Sequence, residues 1–148
     1  MKTDLPLNFR RLDYRPPVYT FEQVELDIAL DPARTIVKSR LALIPGKGFE
    51  PDAPLVLQGQ DLEFVSLRIN GEAHRHFELT PESLTIHSLP RQGREKCLVE
   101  IICICAPEKN TSLMGLYVSN RNFFTQCEAE GFRKITYFLD RPDVMARY

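Results

Sequence analysis

No stretch of this chain stays apolar long enough to cross a bilayer as a helix, and the N-terminal MKTDLPLNFRRLDYRPP lacks the apolar core of a signal peptide. The expectation is a protein that engages no membrane and works in the cytoplasm. Charge of one sign is lacking too. With 19 basic and 20 acidic residues the formal net charge is -1, so no general attraction to polyanions arises and nucleic acid is not an expected partner. Histidine is scarce, at three residues, and the chain contains no HExxH, no glycine-rich phosphate loop and no GxSxG. The common signatures of zinc peptidases, nucleotide hydrolases and serine hydrolases are thereby absent.

Cysteine is limited to Cys97, Cys103, Cys105 and Cys127. The first three share one face of a single apolar run, where residues two apart cannot comfortably bridge each other, so buried reduced thiols are expected. His74-x-His76 offers two nitrogens from one strand face, but a third ligand at a sensible spacing is missing and two solvated histidines are the plainer reading. His87 reads as an exposed strand residue. Cys103-x-Cys105 reads as core packing, and no metal site is expected in this chain.

What is present is a period of two. The 148 residues, 43% hydrophobic and 26% charged, suit one globular domain with a real core. In VELDIAL, Val24, Leu26 and Ile28 alternate with Glu25 and Asp27 until Asp31-Pro32 stops the strand. TIVKSRLALI and PLVLQG offer two more strands. LEFVSLRINGEA alternates into Asn70-Gly71, the pair most suited to a two-residue hairpin turn. FEL and SLTIHSL continue the meander, and KCLVEIICICA, apolar on both faces after Glu100, reads as a central strand. GLYVSNRNFFTQ reads as a further hairpin turning over Ser119 to Asn122. The expected class is all-β: an antiparallel β-sandwich or multi-sheet domain with very little helix. Residues 1–17, with Pro6, Pro16 and Pro17, should lie extended across the surface, and RPDVMARY could hold one short turn of helix behind Pro142.

The chain stops at Tyr148 without a closing signal and reads as a truncated N-terminal piece of a longer protein. Its uncovered edge invites self-association.

One segment, TQCEAEGFRKITYFLDRPD at 125–143, sets Glu128 and Glu130 among the small residues Cys127, Ala129 and Gly131. Such glutamates are often just solvated. If the segment is a strand, however, Gln126, Glu128 and Glu130 point the same way and form an acceptor patch suited to an ammonium group. Asp140 and Arg141 read as turn and packing residues.

TQCEAEGFRKITYFLDRPDVMARY, with GLY at 115–117, DYRPP at 13–17 and, more sparsely, PLVLQGQDLEFVSLRING, resembles the N-terminal domain of M1 zinc aminopeptidases of the bacterial aminopeptidase N type. The hairpin VSNRNFF, at 118–124, departs from a more glycine-rich family pattern. The resemblance implies a saddle-shaped β-domain that precedes the catalytic domain of the same polypeptide. It further implies that Gln126 and Glu128 meet the free α-amino group of a peptide substrate, with Glu130 as a possible support that holds the loop by accepting backbone N–H bonds. The zinc, its ligands and the general base belong to the later domain, so the 148-residue chain alone should be inactive. The alternative is a stand-alone β-sandwich interaction module without catalytic activity.

Overall fold

The computed structural model describes residues 10–87, 89 and 96–148; the extended course expected for 1–9 lies outside them. Among the described residues there are ten strands, and the only helical pieces are three-residue 3-10 turns at Arg11–Asp13, Pro107–Lys109 and Phe132–Lys134. The all-β expectation holds.

Strands β1 (Tyr19–Ala29) and β2 (Thr35–Pro45) form a long antiparallel hairpin. Its reversal is chemically determined: the Asp31 carboxylate accepts the N–H groups of Ala33 and Arg34, both at 2.8 Å, while the Thr35 hydroxyl donates to the Asp31 carbonyl at 2.7 Å. The next strand in sequence, β3 (Leu55–Gln58), leaves this sheet. The following β4 (Glu63–Ile69) and β5 (Glu72–Ala73) turn through Asn70 and Gly71 at φ 52° and 84°, the left-handed geometry of a type I′ turn. Strands β6 (Phe77–Leu79) and β7 (Ser83–Ile86) do not continue that meander. They join β3 in a separate sheet of order β3-β7-β6, whereas β8 (Cys97–Cys105) inserts between β2 and β4 to give the five-stranded order β1-β2-β8-β4-β5. As its two apolar faces suggest, β8 is the middle strand. The last pair, β9 (Gly115–Ser119) and β10 (Asn122–Gln126), is a hairpin of its own.

Period-two alternation places one face of each long strand inward. Val37 and Leu41 of β2 and Val99, Ile101 and Cys103 of β8 are fully buried, and they share one continuous core with Leu57 of β3 and Leu84 and Ile86 of β7. Each such aliphatic side chain contributes about 1.5–3 kcal/mol by leaving water. Ile135, Tyr137 and Phe138, from the segment after β10, complete the cluster. Phe138 stacks on Phe21 at 4.7 Å between ring centroids. At Gly59 a Cβ would come within 2.4 Å of the Tyr137 ring, so only glycine admits the ring there.

The chain end makes no helix. Arg141 instead forks onto Asp143 at 2.8 and 2.7 Å and reaches back to the Arg15 carbonyl at 2.9 Å, while the Tyr14 hydroxyl donates to Asp143 at 3.0 Å. The Val24 N–H then bonds the Arg147 carbonyl at 2.7 Å, drawing the terminus along the edge of β1. Behind Arg141 the chain closes a single turn, the Val144 N–H bonding the Arg141 carbonyl at 3.2 Å, and then runs to the edge of β1 instead of winding on. Residues 10–17, expected to be extended, begin with the 3-10 turn at Arg11–Asp13 and are tied to 141–143 by these contacts.

One polar line crosses the core. Thr136 donates to Ser39 at 3.2 Å, Ser39 donates to the Ile101 carbonyl at 3.5 Å, and the Cys103 thiol lies 3.7 Å from both the Ile135 carbonyl and the Thr136 hydroxyl. Burial pushes the Cys103 and Cys105 thiols from 9.0 up to about 11. The fold therefore holds these protons more tightly than the unfolded chain does. The stability this represents is fully present below about pH 9 and is lost as pH rises through about 11. Urea midpoints measured across that interval should fall with pH, and Cys103→Val should flatten the slope; a pH-independent midpoint would show that burial does not protect the thiols.

Candidate functional site

The candidate site is the stretch that follows the β9–β10 hairpin. That hairpin turns at Asn120 and Arg121, with φ of 47° and 65°, and pairs Gln126 with Gly115 at its far end. Tyr117 and Phe124 stack across it at 5.6 Å. β10 stops at Gln126, and residues 128–130 form a turn that the Gly131 N–H closes on the Cys127 carbonyl at 2.9 Å. The Glu128–Ala129 peptide is cis and Glu130 has φ 64°. Gly131 is required by proximity and not by its own torsion: a Cβ there would lie 2.4 Å from the Gln126 carbonyl oxygen and 2.9 Å from the Cys127 Cα.

This geometry corrects the strand reading of the segment. Gln126, Glu128 and Glu130 are brought together in one turn, but they do not alternate along a strand face. Gln126 uses its side-chain nitrogen to donate to the Glu128 carbonyl at 2.8 Å. Because that carbonyl can only accept, the amide nitrogen must face it, which leaves the Gln126 side-chain oxygen as an acceptor. The Glu128 side chain is exposed, and no described residue gives its carboxylate a hydrogen bond or an ion pair. Glu130 supports the turn differently from the expectation. Its carboxylate takes the Arg133 guanidinium at 3.2 Å and no backbone N–H.

The far side of the turn is fixed by a pairing that the sequence pattern does not single out. Arg133 Nε donates to Asp140 Oδ2 at 3.0 Å and the Arg133 backbone N–H to the same oxygen at 3.1 Å, while Nη2 reaches the Asp140 carbonyl at 3.0 Å. Asp140 is thus more than a turn former. The residues are seven apart, outside the three- or four-residue spacing by which a helical ion pair is recognised, so the only advance signal is a charge on either side of the apolar run ITYFL. Lys134 pairs with Asp61. Cys127, half-buried beside the turn, has its thiol pushed up by burial and then by the negative charge of Asp140.

Elsewhere, His74 Nε2 lies 3.1 Å from the His76 carbonyl and His87 lies 3.7 Å from Glu78. His74 is half-buried, so only His76 and His87 of the three are exposed. Among the described residues no three His, Cys, Asp or Glu side chains converge as a metal site would need. A cavity of about 360 Å³ opens between Asp61, Lys109, Asn110, Leu116 and Lys134, and neither Gln126 nor Glu128 lines it. The turn presents a carboxylate and an amide oxygen from a held backbone, which is chemistry for gripping a cation and not for breaking a bond.

No protein-family model matches this sequence. It is 42% identical over 139 residues to aminopeptidase N of Haemophilus influenzae, covering 93% of this chain and 16% of that protein. It is also 42% identical over 146 residues to aminopeptidase N of Escherichia coli, covering 99% of this chain and again 16% of the relative. In structure it matches aminopeptidase A of Legionella pneumophila, solved with aspartic acid, at TM-score 0.80 and 31% identity, over 91% of this chain and 16% of that one. An M1 zinc metallopeptidase of Deinococcus radiodurans, at TM-score 0.71 and 19% identity over 86% of this chain and 31% of that one, shares the fold. The chain spans about 16% of the length of these aminopeptidase N relatives. Over nearly its whole length the chain is thus similar in sequence to a part of aminopeptidase N, and its fold recurs in an M1 zinc metallopeptidase.

Proposed function

We propose that residues 1–148 are the N-terminal β-domain of a zinc aminopeptidase that removes N-terminal residues from peptides, and that Glu128 anchors the substrate's α-ammonium group. The observation that carries this reading is the Glu128 carboxylate, left without a partner among the described residues on a turn where Gln126, Glu130 and the Gly131 N–H are all engaged. An exopeptidase must recognise a free N-terminus, and a carboxylate does so by a charge-assisted hydrogen bond. Gln126 assists with its remaining side-chain oxygen, a neutral acceptor beside the charge. No described residues form a zinc site. On this reading the metal and the bond-breaking groups belong to the catalytic domain of the same polypeptide, which is the chain's partner. The four free thiols fit a reducing compartment, and we place the enzyme in the cytoplasm; no described helix is long and apolar enough to cross a membrane.

A charge-assisted bond is worth about 1.5–3 kcal/mol, so in the full-length enzyme Glu128→Gln should lower kcat/KM on free-amine peptides by roughly one to two orders of magnitude. Gln126→Ala should act in the same direction and less. An analogue without the α-amine should be nearly indifferent to both, and wild-type kcat/KM for Glu128→Gln on free-amine substrates would overturn the anchoring role.

The isolated chain should hydrolyse nothing. It should also self-associate, because Leu113, Phe124, Met145 and Tyr148 are exposed at 57%, 44%, 79% and 72%. Sedimentation velocity over a concentration series should show this, and a strict monomer at high concentration would contradict it.

A further inference from the structure

We propose that Arg133, clamped by Asp140, is a positioning residue that sets where the Glu128 carboxylate stands. The inference rests on the anchoring role of Glu128 and adds what fixes that group in space. Arg133 and Asp140 side chains are only 17% and 13% exposed, unlike the solvated ion pairs of the sheet surface. Asp140 is itself held from the core, its N–H donating to the Gln58 side-chain oxygen at 3.0 Å, and the Arg133 carbonyl accepts the Gln60 N–H at 2.8 Å. One end of the guanidinium is therefore tied to the end of β3. Nη2 also takes Glu130 at 3.2 Å, two residues beyond Glu128. The chain of contacts Gln58, Asp140, Arg133, Glu130 runs from the second sheet into the turn that carries the anchor.

Only a planar fork reaches Asp140 and Glu130 at once, and an ammonium on a flexible stem cannot replace it. Arg133→Lys keeps the charge and most of the packing while releasing the Glu130 side of the turn. Misplacing a binding group by a fraction of a residue costs rate without unfolding the protein. In the full-length enzyme, Arg133→Lys should lower kcat/KM on free-amine peptides about tenfold, chiefly through KM, with an analogue lacking the α-amine little affected. In a Glu128→Gln background the same substitution should have almost no further effect. Glu130→Gln, at a 56% exposed side chain, leaves the fold intact and should give a smaller loss of the same kind even if Arg133→Lys proves unstable.

The outcomes separate the two ideas. Should Glu128→Gln be silent, the anchoring reading fails and this proposal falls with it. Should Glu128→Gln act while Arg133→Lys and Glu130→Gln both keep wild-type kcat/KM, the anchor stands and the positioning role is wrong. Loss that is equal on both substrate classes and additive with Glu128→Gln would mark the pair as structural only and would also overturn the proposal.

Discussion

The reciprocal backbone pair between Gln58 and Phe138, at 2.8 and 3.0 Å, is the constraint on which the rest of this molecule turns. It fastens the irregular segment after β10 to the end of β3, and the second sheet thereby carries that segment. Once Phe138 is held, Tyr137 seats against Gly59 and Phe138 stacks on Phe21 of the first sheet, so one short extended stretch links both layers of the core. The Arg133 carbonyl and the Asp140 N–H are drawn to residues 60 and 58 by the same alignment. From the other direction, Gln126 is held by its pairing with Gly115 in the β9–β10 hairpin. The turn at 127–131 is thus suspended between two fixed ends.

That suspension accounts for the unusual economy of the turn. Its backbone is closed by Gly131, its first carbonyl side is held by the Gln126 amide, and its last carboxylate is engaged by Arg133. Among the described residues nothing engages the Glu128 carboxylate. A glutamate on a mobile surface loop would lose considerable backbone entropy on gripping a ligand, whereas ordering the backbone beforehand lowers that cost. Preorganisation of this kind suits a binding group.

Much of the sheet structure was legible in the residues. The alternation in VELDIAL and TIVKSRLALI, the Asn70-Gly71 turn and the Ser119–Asn122 reversal all depend on local chemistry, and each lies where that chemistry puts it. The two-faced apolar run of β8 likewise announced a central strand. What could not be read was which sheet the short strands join. Alternation says which face of β6 and β7 is apolar but not whether β4 or β3 lies beside them, since either neighbour buries the same side chains. At the chain end Pro142 permits a turn and a single one forms over 141–144, but the edge of β1 offers the Arg147 carbonyl a partner that a local reading does not include.

At the candidate site, the alternation of Gln126, Glu128 and Glu130 suggested a strand face, and the backbone forms a turn there instead. The three alternate in sequence, yet the Gly131 N–H closes a turn on the Cys127 carbonyl, and a turn erases the strand's two-faced rule. The pairing of Arg133 with Asp140 escaped notice because the two meet only when the segment between them is already folded onto β3. The central claim, that this turn presents Glu128 to a free amino terminus, is tested most directly by a structure of the full-length enzyme with an amino acid bound. The account predicts the ligand's α-nitrogen about 2.7–2.9 Å from the Glu128 carboxylate; an α-nitrogen held elsewhere, with Glu128 still facing solvent, would contradict it.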